Sequence, residues 1–106
     1  MPKHARYYWG RRNGVLAYDF TWSEIRHDSV VVITASEGLP PVTTNAPERF
    51  VGAAPFTVMN VAPRDGGVTF AVNIDWPSPI GLWTDITVFD RQDPLWTPPS
   101  RYVDAG

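Results

Sequence analysis

No cysteine occurs in the 106 residues, which excludes disulfides and thiolate metal ligands and leaves no redox mark of compartment. Long apolar runs are missing too: the longest, Val30 to Ile33, falls far short of the ~20 residues a membrane-crossing helix needs. The start, Met1-Pro2-Lys3-His4-Ala5-Arg6, has no apolar core of a signal peptide, so the expectation is a soluble, cytoplasmic protein with no membrane contact, though a secreted chain shorn of its leader would look the same. Nor is there a basic field. Nine basic and eleven acidic residues give a formal net charge of −2, and nothing in their distribution attracts a phosphate backbone, so nucleic acid is not an expected partner. No window of ten residues carries an apolar stripe at helical spacing free of proline and glycine, which leaves room for no more than a turn or two of helix.

Ligating and nucleophilic constellations are equally sparse. The two histidines, His4 and His27, have no ligand partners at workable spacing, so neither a metal nor a cofactor is expected. Ser29, His27 and Asp28 are too close in one turn to form a nucleophile, base and orienting acid, and no Gly-x-Ser-x-Gly elbow occurs. Asp65-Gly66-Gly67 lacks both the ligand series of a calcium loop and the following helix of a phosphate loop.

What the chain does have is β-structure, aromatics and proline. Five Trp, four Tyr and five Phe accompany eleven prolines, and the prolines punctuate the elements because they break helices and central strands. Val68 to Trp76 alternates apolar with small or polar residues, the period of a strand with one buried face. Phe56 to Ala62 precedes it across Pro63-Arg64-Asp65-Gly66-Gly67, and Leu82 to Asp90 follows it across Pro77-Ser78-Pro79-Ile80-Gly81. Taken as a hairpin, the last two runs set Ile74, Val72 and Phe70 against Thr84, Ile86 and Val88. For the Phe56 run the spacing is ambiguous: a five-residue loop buries Phe56 and Val58, a four-residue loop Met59 and Val61, and the first is preferred.

Asn13-Gly14 fits a type I′ turn between Ala5 to Arg12 and Val15 to Trp22. The implied hairpin sets Trp9 against Tyr18, Tyr7 against Phe20 and Ala5 against Trp22, with Tyr8 against Asp19 and Arg6 against Thr21 on the polar side; Gly10 marks a candidate bulge. Ser23 to Ser29 reads as a polar loop or a single helical turn. Val30 to Ala35, dense in β-branched residues, reads as a central strand covered on both faces. Residues 1–5 and the proline-rich 93–106 read as arms of one domain spanning 1–106. Six to seven short strands predict an antiparallel two-sheet β-sandwich of immunoglobulin-like or jelly-roll-like kind, with a small β-barrel as the alternative.

The parity of Leu82 to Asp90 turns Trp83, Asp85, Thr87 and Phe89 away from the core, and the hairpin register adds Asn73 and Asp75 to the same side. This face is the candidate binding site; no catalytic residue is assigned. It supports a non-enzymatic interaction module that self-associates or binds a protein through aromatic surface. One alternative is a carbohydrate-binding module with Trp83 as platform beside Asp75 and Asp85. Another is a small hydrolase or isomerase using Asp75 and Asp85, diagonal neighbours about 7 to 8 Å apart in that register.

Overall fold

The computed structural model describes residues 2–41 and 49–89. They form seven strands and no helix: β1 (Lys3–Arg12), β2 (Gly14–Thr21), β3 (Val30–Gly38), β4 (Arg49–Phe50), β5 (Phe56–Arg64), β6 (Gly67–Ile74) and β7 (Ile80–Phe89). One antiparallel sheet has the order β1-β7-β3-β4 and the other β2-β6-β5. The two pack face to face as a small β-sandwich. No helix among the described residues is long and apolar enough to cross a membrane. The expected arm at 93–106 lies outside the described residues, and residues 3–5 of the expected N-terminal arm belong to β1.

The core is the meeting of two alternating rows. β6 turns Val68, Phe70, Val72 and Ile74 inward, β7 turns Leu82, Thr84, Ile86 and Val88 inward, and all eight are buried. The alternation was legible; its cause is different from the one expected. β6 and β7 are not hydrogen-bonded neighbours but lie in opposite sheets, so their apolar faces meet across the core instead of along a ladder. The Pro77 to Pro79 stretch carries the chain from one sheet to the other.

The same correction applies at the N-terminus. β1 pairs with β7 and β2 with β6, so the Asn13-Gly14 turn is an arch between sheets and not a hairpin. Gly14 takes φ +75°, a value open to glycine at little cost. The aromatic partners nevertheless meet, because residues equidistant from an arch face each other just as residues equidistant from a hairpin turn do. Trp9 and Tyr18 have ring centroids 5.0 Å apart and Tyr7 and Phe20 5.5 Å. Trp9 also meets Phe70 at 6.0 Å edge-on, and such pairs add about 0.5 to 1.5 kcal/mol each beyond the area they bury. The polar pairings of the hairpin do not form: Arg6 joins Asp85 of β7 at 2.9 Å and Asp19 joins Arg64 of β5 at 2.6 Å.

Two bulges adjust the rows. In β1, Trp9 and Gly10 together oppose one residue of β7, with Gly10 at φ +87°, as its position in the aromatic run suggested. In β5, Asn60 and Val61 together oppose Phe70, with Asn60 at φ 55°. That extra residue reverses the parity of the strand, so Phe56 and Val58 pack on the core before it and Val61 after it. Both spacings weighed for this run are partly right. Pro63 sits within β5, an edge strand, where its missing N–H removes no ladder bond.

Three further expectations change. Trp76 is more than a third exposed, because the alternation ends at Ile74. Ile25, in the polar Ser23 to Ser29 loop, is fully buried. The loop is stitched to the β5–β6 turn by Trp22 N–H to Gly66 O at 2.9 Å and Gly66 N–H to Ile25 O at 2.8 Å, and this drops Ile25 onto the open end of the core. Finally, β3 is covered on one face only. Val31 and Ile33 turn inward while Val30 and Val32 stand exposed, so its density of branched residues reflects strand propensity and not burial on both sides.

Thr84 is the buried polar side chain of the core, and its hydroxyl accepts a hydrogen bond from Trp9 Nε1 at 2.8 Å. The Tyr18 hydroxyl is buried with no partner among the described residues, and burial raises its pKa. Phe70→Ala should therefore cost about 3 to 5 kcal/mol in chemical denaturation, the usual loss at a filled aromatic site. Tyr18→Phe should be neutral or stabilising, since it deletes an unsatisfied buried group while keeping the ring; a loss above about 1 kcal/mol would reveal a partner for that hydroxyl.

Candidate functional site

Because β7 lies between β1 and β3, its outward side chains stand in rows with theirs. The registers set Tyr8, Trp83 and Ser36 in one row, Arg6, Asp85 and Thr34 in the next, and His4, Thr87 and Val32 in the third, with Phe89 beside Val30 at the end. The face thus runs from aromatic through charged to apolar. Asn73 and Asp75 are not on it. Asn73 is on the outward side of β6, in the other sheet, and Asp75 follows β6, its N–H donating to Pro55 O at 3.0 Å. The proposed company of Asp75 and Asp85 is broken for the same reason that β6 and β7 form no hairpin, and a carboxylate pair for acid/base chemistry goes with it.

Trp83 points outward as its parity requires, yet is only 4% exposed. β3 ends at Gly38, and the chain then passes over β7 closely enough that Leu39 O accepts a hydrogen bond from Trp83 Nε1 at 2.8 Å. That approach depends on Gly81, where a Cβ would collide with the Gly38 carbonyl oxygen. Tyr8 covers the indole from the other side, ring centroids 5.0 Å apart. A covered, hydrogen-bonded indole offers no stacking platform to a sugar.

Asp85 is the centre of charge on this face. Its Oδ1 accepts from Arg6 Nε at 2.9 Å, its Oδ2 accepts from Arg49 Nη1 of β4, and His4 Nε2 lies 3.7 Å from Oδ1. His4 Nδ1 is also 3.0 Å from the Thr87 hydroxyl. Partly exposed pairs of this kind contribute little each, about 0 to 1 kcal/mol, so the cluster serves to orient side chains more than to hold the fold. Arg49 ties the two-residue β4 to the sheet, and beside it Thr34, Ala35, Ser36, Val51 and Asp85 line an open depression of about 450 Å³. Arg6, His4, Arg49, Val30 and Val32 were not among the candidates, since only the β1-β7-β3 order places them here. Among the described residues no three potential ligating side chains cluster as a metal site.

At the edges the sheets differ. β1 carries Lys3, His4, Arg6, Arg11 and Arg12 and the Gly10 bulge; β5 carries Pro63 and the Asn60 bulge; β2 carries Asp19. β3 is paired by β4 only at Glu37 and Gly38. Over Val30 to Ser36 its outer edge pairs with no strand among the described residues, and those seven positions hold no charge, proline, glycine or bulge. Comparison with protein-family models, curated proteins and solved structures finds no match.

Away from this face, the Asp65 carboxylate accepts from the His27 N–H at 2.9 Å and lies 2.9 Å from His27 Nδ1, and these bonds, the backbone one foremost, lower its pKa. Asp19 is lowered likewise, chiefly by its bond to Arg64. A carboxyl whose folded pKa lies below its unfolded value stabilises the fold above the unfolded pKa and loses that contribution as pH falls through the folded one.

Melting temperature should accordingly drop on the acid side of the ordinary aspartate range, about pH 4 and below, and Asp65→Asn should flatten that limb; an unchanged limb would show that Asp65 makes no such contribution. Trp83→Ala should cost about 3 to 5 kcal/mol of folding stability by denaturant titration, as expected for emptying a buried indole site. A variant that melts with the parent would mean the indole is not covered.

Proposed function

We propose that this chain is a binding module, acting by contact and not by catalysis, whose working surface is the edge of β3 that pairs with no strand among the described residues, with the exposed side chains of Val30 and Val32. The reading rests on one observation: among the described residues, the edge of β3 from Val30 to Ser36 has no ladder partner and holds no charge, proline or bulge, with β5 and the Val51 to Phe56 segment lying near it. Natural sandwiches blunt exposed edges with charges, prolines or bulges, and β1 and β5 do so here. β2 carries a charge, Asp19, paired with Arg64. A seven-residue edge of mostly β-branched residues is suited to receive an added strand, in which main-chain hydrogen bonds supply affinity and alternate side chains supply selectivity. The partner is a strand of a second copy or of another protein, and the exposed valines, 44% and 48% accessible, give it apolar contact.

Aromatic contact, the interaction first expected of this composition, has less support. Most described aromatics fill the space between the sheets, and Trp83 is covered. The glycan reading loses its platform in the same way.

A lysine-flanked peptide of residues 30–36 should bind the parent protein, and Val32→Lys should weaken that binding at least tenfold, about 1.4 kcal/mol, as measured by calorimetry. The variant should melt close to the parent, because Val32 points outward. Leu16→Lys on β2 should leave binding unchanged. A peptide that binds neither protein, or binds both alike, would overturn the proposal.

A further inference from the structure

In the hollow between Arg49 and the outward face of β3 we infer a binding site for a tetrahedral oxyanion, the phosphate or sulfate group of a small organic monoester. The inference is independent of strand addition. Thr34, Ala35, Ser36, Arg49, Val51 and Asp85 line this hollow, an open depression of about 450 Å³. Thr34 and Ser36 are alternate residues of one strand, so their hydroxyls stand on the same side about 6 to 7 Å apart, and neither makes a hydrogen bond among the described residues. Arg49 arrives from β4, which pairs with Glu37 and Gly38, and its side chain crosses β3 to reach Asp85 of β7. A guanidinium carries five N–H donors in a rigid fork. The bond from Nη1 to Asp85 Oδ2 fixes where that fork stands and uses one of them; the others have no partner among the described residues. The polar wall of the hollow is thus a held guanidinium and two unpaired hydroxyls, with Asp85 behind them.

Charge decides the class of ligand. Asp85 alone would cancel Arg49, but its other oxygen accepts from Arg6 Nε at 2.9 Å, and His4 Nε2 lies 3.7 Å from that oxygen. Two arginines around one carboxylate leave the cluster at a formal +1 before His4 is counted, although the whole chain stands at −2. The Glu37 carboxylate does not offset this, because it is turned to the opposite side of β3 from Ser36 and lies over Gly52. A guanidinium fork with two hydroxyls can engage several oxygens of a tetrahedral group at once, whereas a ligand carboxylate offers only two. The hollow has the size of a small-molecule site and not of a single ion, and Ala35 and Val51 give it an apolar wall. The ester's organic part belongs against that wall, with its oxyanion on Arg49, Thr34 and Ser36.

Calorimetry at low salt with phenyl phosphate and with inorganic phosphate tests the site. The ester should saturate one site per chain and bind more tightly than the free ion, and added salt should weaken both. Arg49→Gln should weaken ester binding about tenfold or more, as loss of a charge-assisted bond does. Arg6→Gln should weaken it as well, by leaving the Asp85 charge uncompensated beside the hollow. Thr34→Val should weaken it about threefold and melt with the parent, because Thr34 is exposed; with Arg6→Gln it carries the test if Arg49→Gln, which also unties β4, fails to fold. Arg64→Gln, which removes the same charge from the other sheet, should bind like the parent. Inorganic phosphate binding as tightly as the ester would assign the hollow to the free ion and overturn the ester. Binding left unchanged by Arg6→Gln, Arg49→Gln and Thr34→Val would be an adventitious ion only, and absence of saturation at about 10 mM ester would remove the site.

Discussion

The fold depends on the interlock of two rows, Val68, Phe70, Val72 and Ile74 from β6 with Leu82, Thr84, Ile86 and Val88 from β7. Each strand is the middle of its sheet's pairing, β6 between β2 and β5 and β7 between β1 and β3, so each row is shielded on both flanks. Everything else is laid around that contact. The Asn13-Gly14 arch puts β1 and β2 on the same flank in opposite sheets, and the aromatics between them close that side. Ile25 closes the end near the β5–β6 turn. Thr84 shows how tightly the interior is matched: a hydroxyl in an apolar row costs about 1 to 3 kcal/mol if left unpaired, and Trp9 reaches across from β1 to satisfy it.

Alternation in a sequence reports which face a residue takes, and it does so faithfully here. It says nothing about whether the next strand in the chain is a hydrogen-bonded neighbour or a facing one, because hairpins and arches of the same length produce the same pairing of inward residues. That is why Trp9 with Tyr18 and Val72 with Ile86 fall on matching inward positions while both hairpins were wrong. The β5 bulge is a second limit. Asn60 tolerates φ 55° better than most residues, but no spacing rule separates a bulged strand from two registers of a regular one, so the competing assignments of Phe56 and Val61 each described part of the strand. Ile25 escaped because its surroundings, Ser23, Glu24, Arg26 and His27, are polar; what buries it is a set of backbone bonds to a turn 41 residues along, at Gly66.

The outward face was legible in part. Trp83, Asp85, Thr87 and Phe89 do share a side of β7. Their neighbours could not be read, since Arg6 and His4 arrive through the β1-β7 pairing and Arg49 through β4. Exposure was the harder quantity. Parity shows that Trp83 leaves the core, but its burial follows from Leu39 crossing it, and that crossing depends on the missing side chain of Gly81. A glycine near the start of a strand, two residues before a tryptophan, is a weak signal alone, and it becomes meaningful only when another backbone is seen to occupy the space.

A small sandwich must end its sheets somewhere, and four edges are too many to leave bare in water. Charge serves at β1, where arginines that also bind Asp85 and the Pro79 carbonyl are tied down and still exposed. Geometry serves at β5, where the Asn60 bulge and Pro63 interrupt the ladder. Both devices cost something locally, a residue at positive φ or a lost donor, and both recur in this short chain. Their absence from β3 is therefore not explained by a general neglect of edges. A strand carrying Val30, Val31, Val32, Ile33 and Thr34 in succession has high strand propensity and low charge, the combination that makes unpaired edges prone to open-ended association. Its described ladder partner on that side is β4, at Glu37 and Gly38, and before Val30 the chain turns away through the Arg26 to Ser29 turn. The same sequence is hazardous as an open template, and what lies against it decides whether it stays one.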